Sequence, residues 1–216
     1  MHVGSRQDNG REVRSYVKIC FLGCGIFQLE LEKVIAEFEQ EKLFDCEFSV
    51  VYLPLRVHVD MKKLQEKVIE ALDTVQADKI IFMFGEKCHP LFHEFLCRYD
   101  LVRLRGANCW EIFLGELPDG QVRDTKTFYM TPSWLVKWRE FFDPGWGVDE
   151  VAMRQAFAFY ERIVLVDTGI CEYTDEDILE FFERTQIPID IETGDLTYFR
   201  NSMIEAVRAA LGLKSS

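Results

Sequence analysis

The chain has 216 residues, enough for one α/β domain with a sizeable core. Its net charge of −12 argues against binding to a nucleic-acid backbone, which requires a basic surface. No apolar run reaches the about 18 residues of a membrane span, and the polar N-terminus lacks the apolar core of a signal peptide. We therefore expect a cytoplasmic protein that binds neither nucleic acid nor membrane.

Predicted strands and helices alternate along most of the chain. Residues 1–15 are polar and are predicted to form a loose N-terminal segment, whereas residues 16–216 are predicted to form a single α/β domain. The predicted strands are 16–22, 48–53, 79–84, 101–104, 127–130 and 162–166. The main predicted helices are 27–42, 61–74, 90–99, 131–142, 148–160, 175–185 and 197–211. This order predicts a mainly parallel, Rossmann-like sheet with helices on both faces and extra C-terminal helices.

Three of the seven cysteines lie in the turns directly after the first, third and fourth predicted strands. Cys24 lies in a Gly-Cys-Gly turn, Cys88 precedes His89-Pro90, and Cys109 follows Asn108. Because the loops after parallel strands open on one edge of the sheet, we expect these thiols to converge there. Three thiolates can hold a [4Fe–4S] cluster with one iron left open to a small-molecule substrate. They can alternatively hold Zn²⁺, with a fourth ligand from His58.

Other interpretations of the cysteines are available. A free cysteine is most often a small buried hydrophobic residue, and this is the prediction for Cys20, Cys46 and Cys97, which lie inside elements. Cys171 follows the last predicted strand and is a reserve ligand. The Gly-Cys-Gly turn lacks the third glycine of a dinucleotide-binding fingerprint, which makes that function a minor alternative.

Four further residues are candidates for the same edge. His58 follows the second predicted strand, and its near-neutral pKa suits a proton donor as well as a metal ligand, so it is the predicted catalytic residue. Arg105 and Asn108 precede Cys109, and Asp167 ends an apolar strand. These three residues are predicted to contact the cofactor.

Several segments also match a known sequence pattern. They are Cys24-Gly25-Ile26-Phe27 with Leu29-Glu30-Leu31, Leu53-Pro54 with His58, Phe84-Gly85 to Cys88, Arg105 to Cys109 with Leu114-Gly115, Phe128 to Trp134, Asp167-Thr168-Gly169 and Gly194-Asp195-Leu196. On these segments the chain resembles domain-of-unknown-function family sixteen-thirty-eight, which occurs in anaerobic bacteria and methanogenic archaea. The family pattern reads Pro-Arg-x-His-Asp-Cys where this chain has Leu104 to Cys109, so the arginine and the cysteine are kept.

The resemblance implies a setting but supplies no established reaction. Genes of this family often lie near corrinoid-dependent methyltransferases, which implies anaerobic one-carbon metabolism and such an enzyme system as a partner. The leading hypothesis is an iron–sulfur protein that uses Cys24, Cys88 and Cys109. The alternatives are a zinc enzyme that activates a thiol or water, and a non-catalytic accessory protein of a corrinoid methyltransferase.

Overall fold

The computed structural model describes residues 16–55, 57, 60–115, 123–141 and 150–213. The predicted loose segment 1–15 and the predicted catalytic residue His58 lie outside these residues. Seven strands are present in the described chain: β1 Val17–Cys24, β2 Cys46–Leu53, β3 Lys79–Met83, β4 Leu101–Arg103, β5 Thr127–Met130, β6 Arg162–Asp167 and β7 Ile189–Thr193. The helices are α1 Gln28–Glu41, α2 Met61–Thr74, α3 Phe92–Leu96, α4 Cys109–Leu114, α5 Pro132–Phe141, α6 Glu150–Phe157, α7 Asp175–Thr185 and α8 Thr197–Ala210.

All strand pairs are parallel, which confirms the predicted α/β class. The strands do not form one sheet, however. A four-stranded sheet has the order β2-β1-β3-β4, and a three-stranded sheet has the order β5-β6-β7. The predicted neighbourhood of the first four strands is confirmed, and β7 is a strand that the sequence pattern did not predict.

Helices pack beside the first sheet in two groups. Helix α8 returns from the end of the chain to pair with α1, where Arg200 binds Glu37 at 3.2 Å and Glu41 at 2.6 Å. Helices α2 and α3 are joined by the buried ring of His89, whose Nε2 lies 3.1 Å from the Met61 carbonyl oxygen. The two groups follow from the strand order. The β1-to-β2 connection crosses the sheet in one direction and the β2-to-β3 connection crosses it in the other, so right-handed crossovers place α1 and α2 on opposite faces.

Aromatic side chains connect the two sheets through a common core. The ring of Phe27, in the 3₁₀ turn after β1, stacks on Phe113 of α4 at 5.1 Å and meets Phe199 of α8 at 5.9 Å. Trp110 of α4 reaches Tyr129 of β5, with ring centroids 6.2 Å apart. Burial of several large rings contributes about 1.5–3 kcal/mol each, so this core fixes α4 against the second sheet. No helix among the described residues is both long and apolar enough to cross a membrane.

Candidate functional site

The first sheet has a topological switch point between β1 and β3. The chain leaves β1 toward β2 on one side and later reaches β3 on the other side, so the loops after these two strands diverge. A crevice forms at such a point in doubly wound sheets, and ligands usually bind there. Cys24 is the last residue of β1, and Cys88 lies in the turn Glu86–Cys88 after β3. Cys109 begins α4, directly after the loop that follows the neighbouring strand β4.

Backbone contacts hold the Cys88 loop against the Cys109 loop. The amide of Glu86 donates to the Gly106 carbonyl at 3.0 Å, and that of Lys87 donates to the Ala107 carbonyl at 2.7 Å. The two chains approach so closely that a Cβ on Gly85 would lie 2.4 Å from the Cα of Asn108. A glycine is therefore required at position 85, and the two cysteine loops form one rigid unit.

Asn108 fixes the start of the helix that carries Cys109. Its side-chain oxygen accepts a hydrogen bond from the Glu111 amide at 3.0 Å, which is a typical N-cap. The Glu111 carboxylate in turn accepts from the Ala107 amide at 2.7 Å. Asn108 thus positions Cys109, and the predicted direct contact of Asn108 with a cofactor stays a prediction.

The three thiols lie close enough to influence one another electrostatically. Burial is the main cause that raises the pKa of Cys24, and the charges of Cys109 and Cys88 raise it further. Burial and then the charge of Cys88 raise the pKa of Cys109 to about 12. Burial likewise raises the pKa of Cys88. The three thiols are therefore within electrostatic reach of one another, and burial favours their neutral form.

Each of these sulfur atoms also faces a backbone amide that opposes the effect of burial. The Ile26 N–H donates to Cys24 Sγ at 3.4 Å. The backbone of Gly85 lowers the pKa of Cys88, and the amides of Cys109 and Trp110 lower that of Cys109. Such N–H···S contacts favour the thiolate and tune the electronic properties of bound metal centres.

Within the part of the chain that the structure describes, no set of three or more His, Cys, Asp or Glu side chains is grouped to hold a single metal ion. A tetrahedral zinc site with bonds of about 2.3 Å requires sulfurs about 3.8 Å apart. The thiol donors suit zinc or iron–sulfur chemistry, but their arrangement does not fit a single ion. His58, the predicted fourth zinc ligand, lies outside the described residues.

The remaining cysteines lie elsewhere. Cys20 is buried inside β1, as predicted, and Cys46 is half-buried at the start of β2. Cys97 is exposed, so the prediction that it is a packing residue is wrong, because α3 ends one residue earlier and leaves the side chain at the surface. The reserve ligand Cys171 follows β6 of the second sheet and is half-buried; burial first, then the charge of Glu30, raises its pKa.

A buried carboxyl group, Glu30, was not identified from the sequence. Its side chain is fully buried on α1, where Oε1 accepts a hydrogen bond from the Ser133 hydroxyl at 2.8 Å. Oε2 is buried without a hydrogen-bond partner within the described residues. Burial raises the pKa of Glu30, opposed by the hydroxyls of Ser133 and Thr131 and by Lys137. The available signal was the spacing of Glu30 four residues before Val34, on the apolar face of the helix.

Tyr160 is a second residue that sequence reasoning missed. It precedes β6, and its ring packs on Phe128 with centroids 5.2 Å apart. Burial raises the pKa of its phenol, and the charge of Cys109 adds to this effect. The phenol of Tyr160, just before β6, is therefore within electrostatic reach of Cys109.

The other two predicted cofactor contacts have defined positions. Asp167 ends β6 in the second sheet, where its oxygens accept hydrogen bonds from the Gly169 amide at 2.9 Å and the Tyr173 hydroxyl at 3.0 Å. It organises its own turn. Arg105 follows β4 and is exposed along a groove beside α8. The structure does not assign either residue to the cysteine trio.

Comparison with known proteins identifies the family. The chain belongs to the family described as "Protein of unknown function (DUF1638)", whose family model matches residues 52–203. The match includes Cys88 and Cys109, whereas Cys24 and Glu30 precede it. No curated protein and no solved structure matches this chain.

Proposed function

We propose that the protein binds an iron–sulfur cluster through Cys24, Cys88 and Cys109 at the crevice after β1, β3 and β4. The proposal is supported by the positions of three thiols after β1, β3 and β4 of one parallel sheet, within electrostatic reach of one another. Three cysteine ligands leave one iron of a [4Fe–4S] cluster available for a small substrate.

A cluster places weaker demands on the spacing of its ligands than a single zinc ion does. Its irons lie at separate corners, so its ligand sulfurs stand farther apart than the ligands of a single ion. Electrostatic influence between thiols does not require the close grouping that a single zinc ion needs, and no such grouping is present among the described residues. The zinc alternative depends on His58 and on movement of the cysteine loops.

The raised thiol pKa values argue against catalysis by a free cysteine. A nucleophilic cysteine needs a lowered pKa, because the thiolate is the reactive form. Burial moves all three thiols in the opposite direction. A metal centre displaces these protons when it binds, and the backbone amides that face the sulfurs then stabilise the thiolates.

The test is anaerobic reconstitution with iron and sulfide, followed by measurement of iron and sulfide per chain and by electron paramagnetic resonance of the reduced protein. We expect about four irons per chain if the cluster is of the [4Fe–4S] type. Cys24→Ala, Cys88→Ala and Cys109→Ala should each lose most of the iron. The exposed Cys97→Ala is the matched control and should retain it.

Two results would overturn the proposal. Equal iron content in the three variants and the control would show adventitious binding. A colourless protein with one zinc per chain that is lost in His58→Ala would establish the zinc alternative. The proposed link to one-carbon metabolism and to a corrinoid methyltransferase rests on the family resemblance, and copurification under anaerobic conditions tests this partner. The proposed cytoplasmic location rests on the sequence alone.

A further inference from the structure

A groove of about 630 Å³ lies between the outer edge of β4 and helix α8. Its volume is in the range of small-molecule sites. One wall is formed by consecutive residues of the chain that include Arg103 and Arg105. These two residues alternate with the buried Leu104, so they lie on the same face of the extended chain.

The opposite wall is one stripe of α8. The side chains that line the groove recur every three or four residues along the helix, with one adjacent pair, so they lie on one side of it. They are Tyr198, Asn201, Ser202 and Glu205. The smaller Ala206 and Ala209 follow on the same stripe and leave space at its end. The stripe thus offers an aromatic ring, an amide and a hydroxyl toward the arginines.

The two arginines are unusual because the described residues provide them with no ion pair and no side-chain hydrogen bond. The chain has a net charge of −12, and carboxylates are therefore abundant. Other arginines use them: Arg139 pairs with Glu180, and Arg200 pairs with Glu37 and Glu41. Two arginine side chains that line one groove without a partner among the described residues, with hydrogen-bonding groups opposite, are suited to an anion from outside the chain.

We propose that this groove binds a small molecule that carries a compact oxyanion, either a phosphate monoester or a carboxylate. Arg103 and Arg105 neutralise the anion, Asn201 and Ser202 donate hydrogen bonds to its oxygens, and Tyr198 contacts the body of the molecule. The negative charge of Glu205 repels the anion and lowers the affinity of the groove for it. This site does not depend on the proposed iron–sulfur function, because it requires none of the three cysteines.

The test uses the full chain with phenyl phosphate, inorganic phosphate and succinate as probes, and phenol as the uncharged control. Isothermal titration gives the affinities, and amide shifts in NMR spectra locate the contact at residues 102–105 and 198–209. Tighter binding of the two phosphates than of succinate would indicate a phosphate site, and the reverse order would indicate a carboxylate site. Cys109→Ala should bind the anion as the wild type does, so failure of the cluster proposal leaves this result unaffected.

Charge variants make the assignment specific. Arg103→Gln and Arg105→Gln should each weaken binding about tenfold or more, because a charge-assisted pair is lost. Glu205→Gln should tighten binding several-fold. Arg162→Gln removes the same charge at the start of β6 and should change nothing at this groove. Absence of binding by every anion at millimolar concentration, or equal affinities in Arg103→Gln, Arg105→Gln and Arg162→Gln, would overturn the proposal.

Discussion

The contact between the two cysteine loops gives a sharp test of the site, because a single methyl group should disturb it. In Gly85→Ala the new Cβ would meet three backbone atoms of Asn108 at 2.4–2.7 Å. Carbon atoms normally pack at about 3.5–4.0 Å, so the loops must separate by about 1 Å. Backbone atoms cannot rotate away as a flexible side chain can.

The expected cost of this change combines two effects. Forcing an extra methyl group into a packed site costs about 1–3 kcal/mol. A separation of this size also breaks the hydrogen bonds from Glu86 and Lys87 to the opposite loop, each with a net value of about 1 kcal/mol. We therefore expect Gly85→Ala to lower the free energy of unfolding by about 3–5 kcal/mol, a large part of a typical total of about 5–15 kcal/mol.

Urea denaturation, followed by tryptophan fluorescence, measures this change. Gly169→Ala is the control, because its Cβ would meet no atom within 4 Å and only the backbone at φ +68° is strained. That strain should cost about 1 kcal/mol. The iron content after reconstitution should fall in Gly85→Ala and stay unchanged in Gly169→Ala. A Gly85→Ala protein within about 0.5 kcal/mol of the wild type, with full iron content, would refute the argument that close loop contact positions the cysteines.

Three further predictions concern single side chains. Asn108→Ala removes the N-cap of α4 and should cost about 1 kcal/mol in urea denaturation, whereas Asn108→Asp should restore it. Because burial raises the folded-state pKa of Glu30, its stabilising contribution is present below the unfolded pKa and is lost as pH rises through the folded pKa. Wild-type stability should therefore fall over this range relative to Glu30→Gln, and parallel pH curves would contradict the assignment. His58→Ala should keep its iron but lose any activity found if His58 donates a proton, whereas loss of metal would establish ligation.

The local elements were well predicted because their signals are local. The helices 61–74 and 175–185 and the strand 127–130 have the bounds that periodicity predicts. The strand Ile189–Thr193 was missed because four of its five residues are exposed, which leaves no buried alternation to detect. The separation into two sheets is decided by pairing between distant residues, and sequence periodicity carries no information on such pairing.

The positions of Cys24, Cys88 and Cys109 at the carboxyl ends of their strands were predictable for a simple geometric reason, whereas the buried carboxyl group was not. A cysteine after a parallel strand must lie at the carboxyl edge, whichever strands are neighbours. Glu30 depends on a contact with Ser133, over a hundred residues away. A charged residue on an apolar helix face is also commonly accommodated at the surface by its long side chain. Its burial depends on tertiary contacts such as the hydrogen bond from Ser133 at the start of α5.

The way the loops are held also accounts for the departures from the family pattern that the chain resembles. Ala107 stands where the resembled pattern has a histidine, yet residue 107 contributes to the loop contact through its backbone carbonyl, which any residue supplies. The positive φ of Gly106, +147°, and a Cβ position 2.8 Å from the Ile112 amide favour glycine in this chain. Asn108 replaces an aspartate, and both residues cap helices well. The arrangement of Cys88 and Cys109 therefore depends on backbone hydrogen bonds and one cap, so a changed loop sequence can retain the same cysteine site.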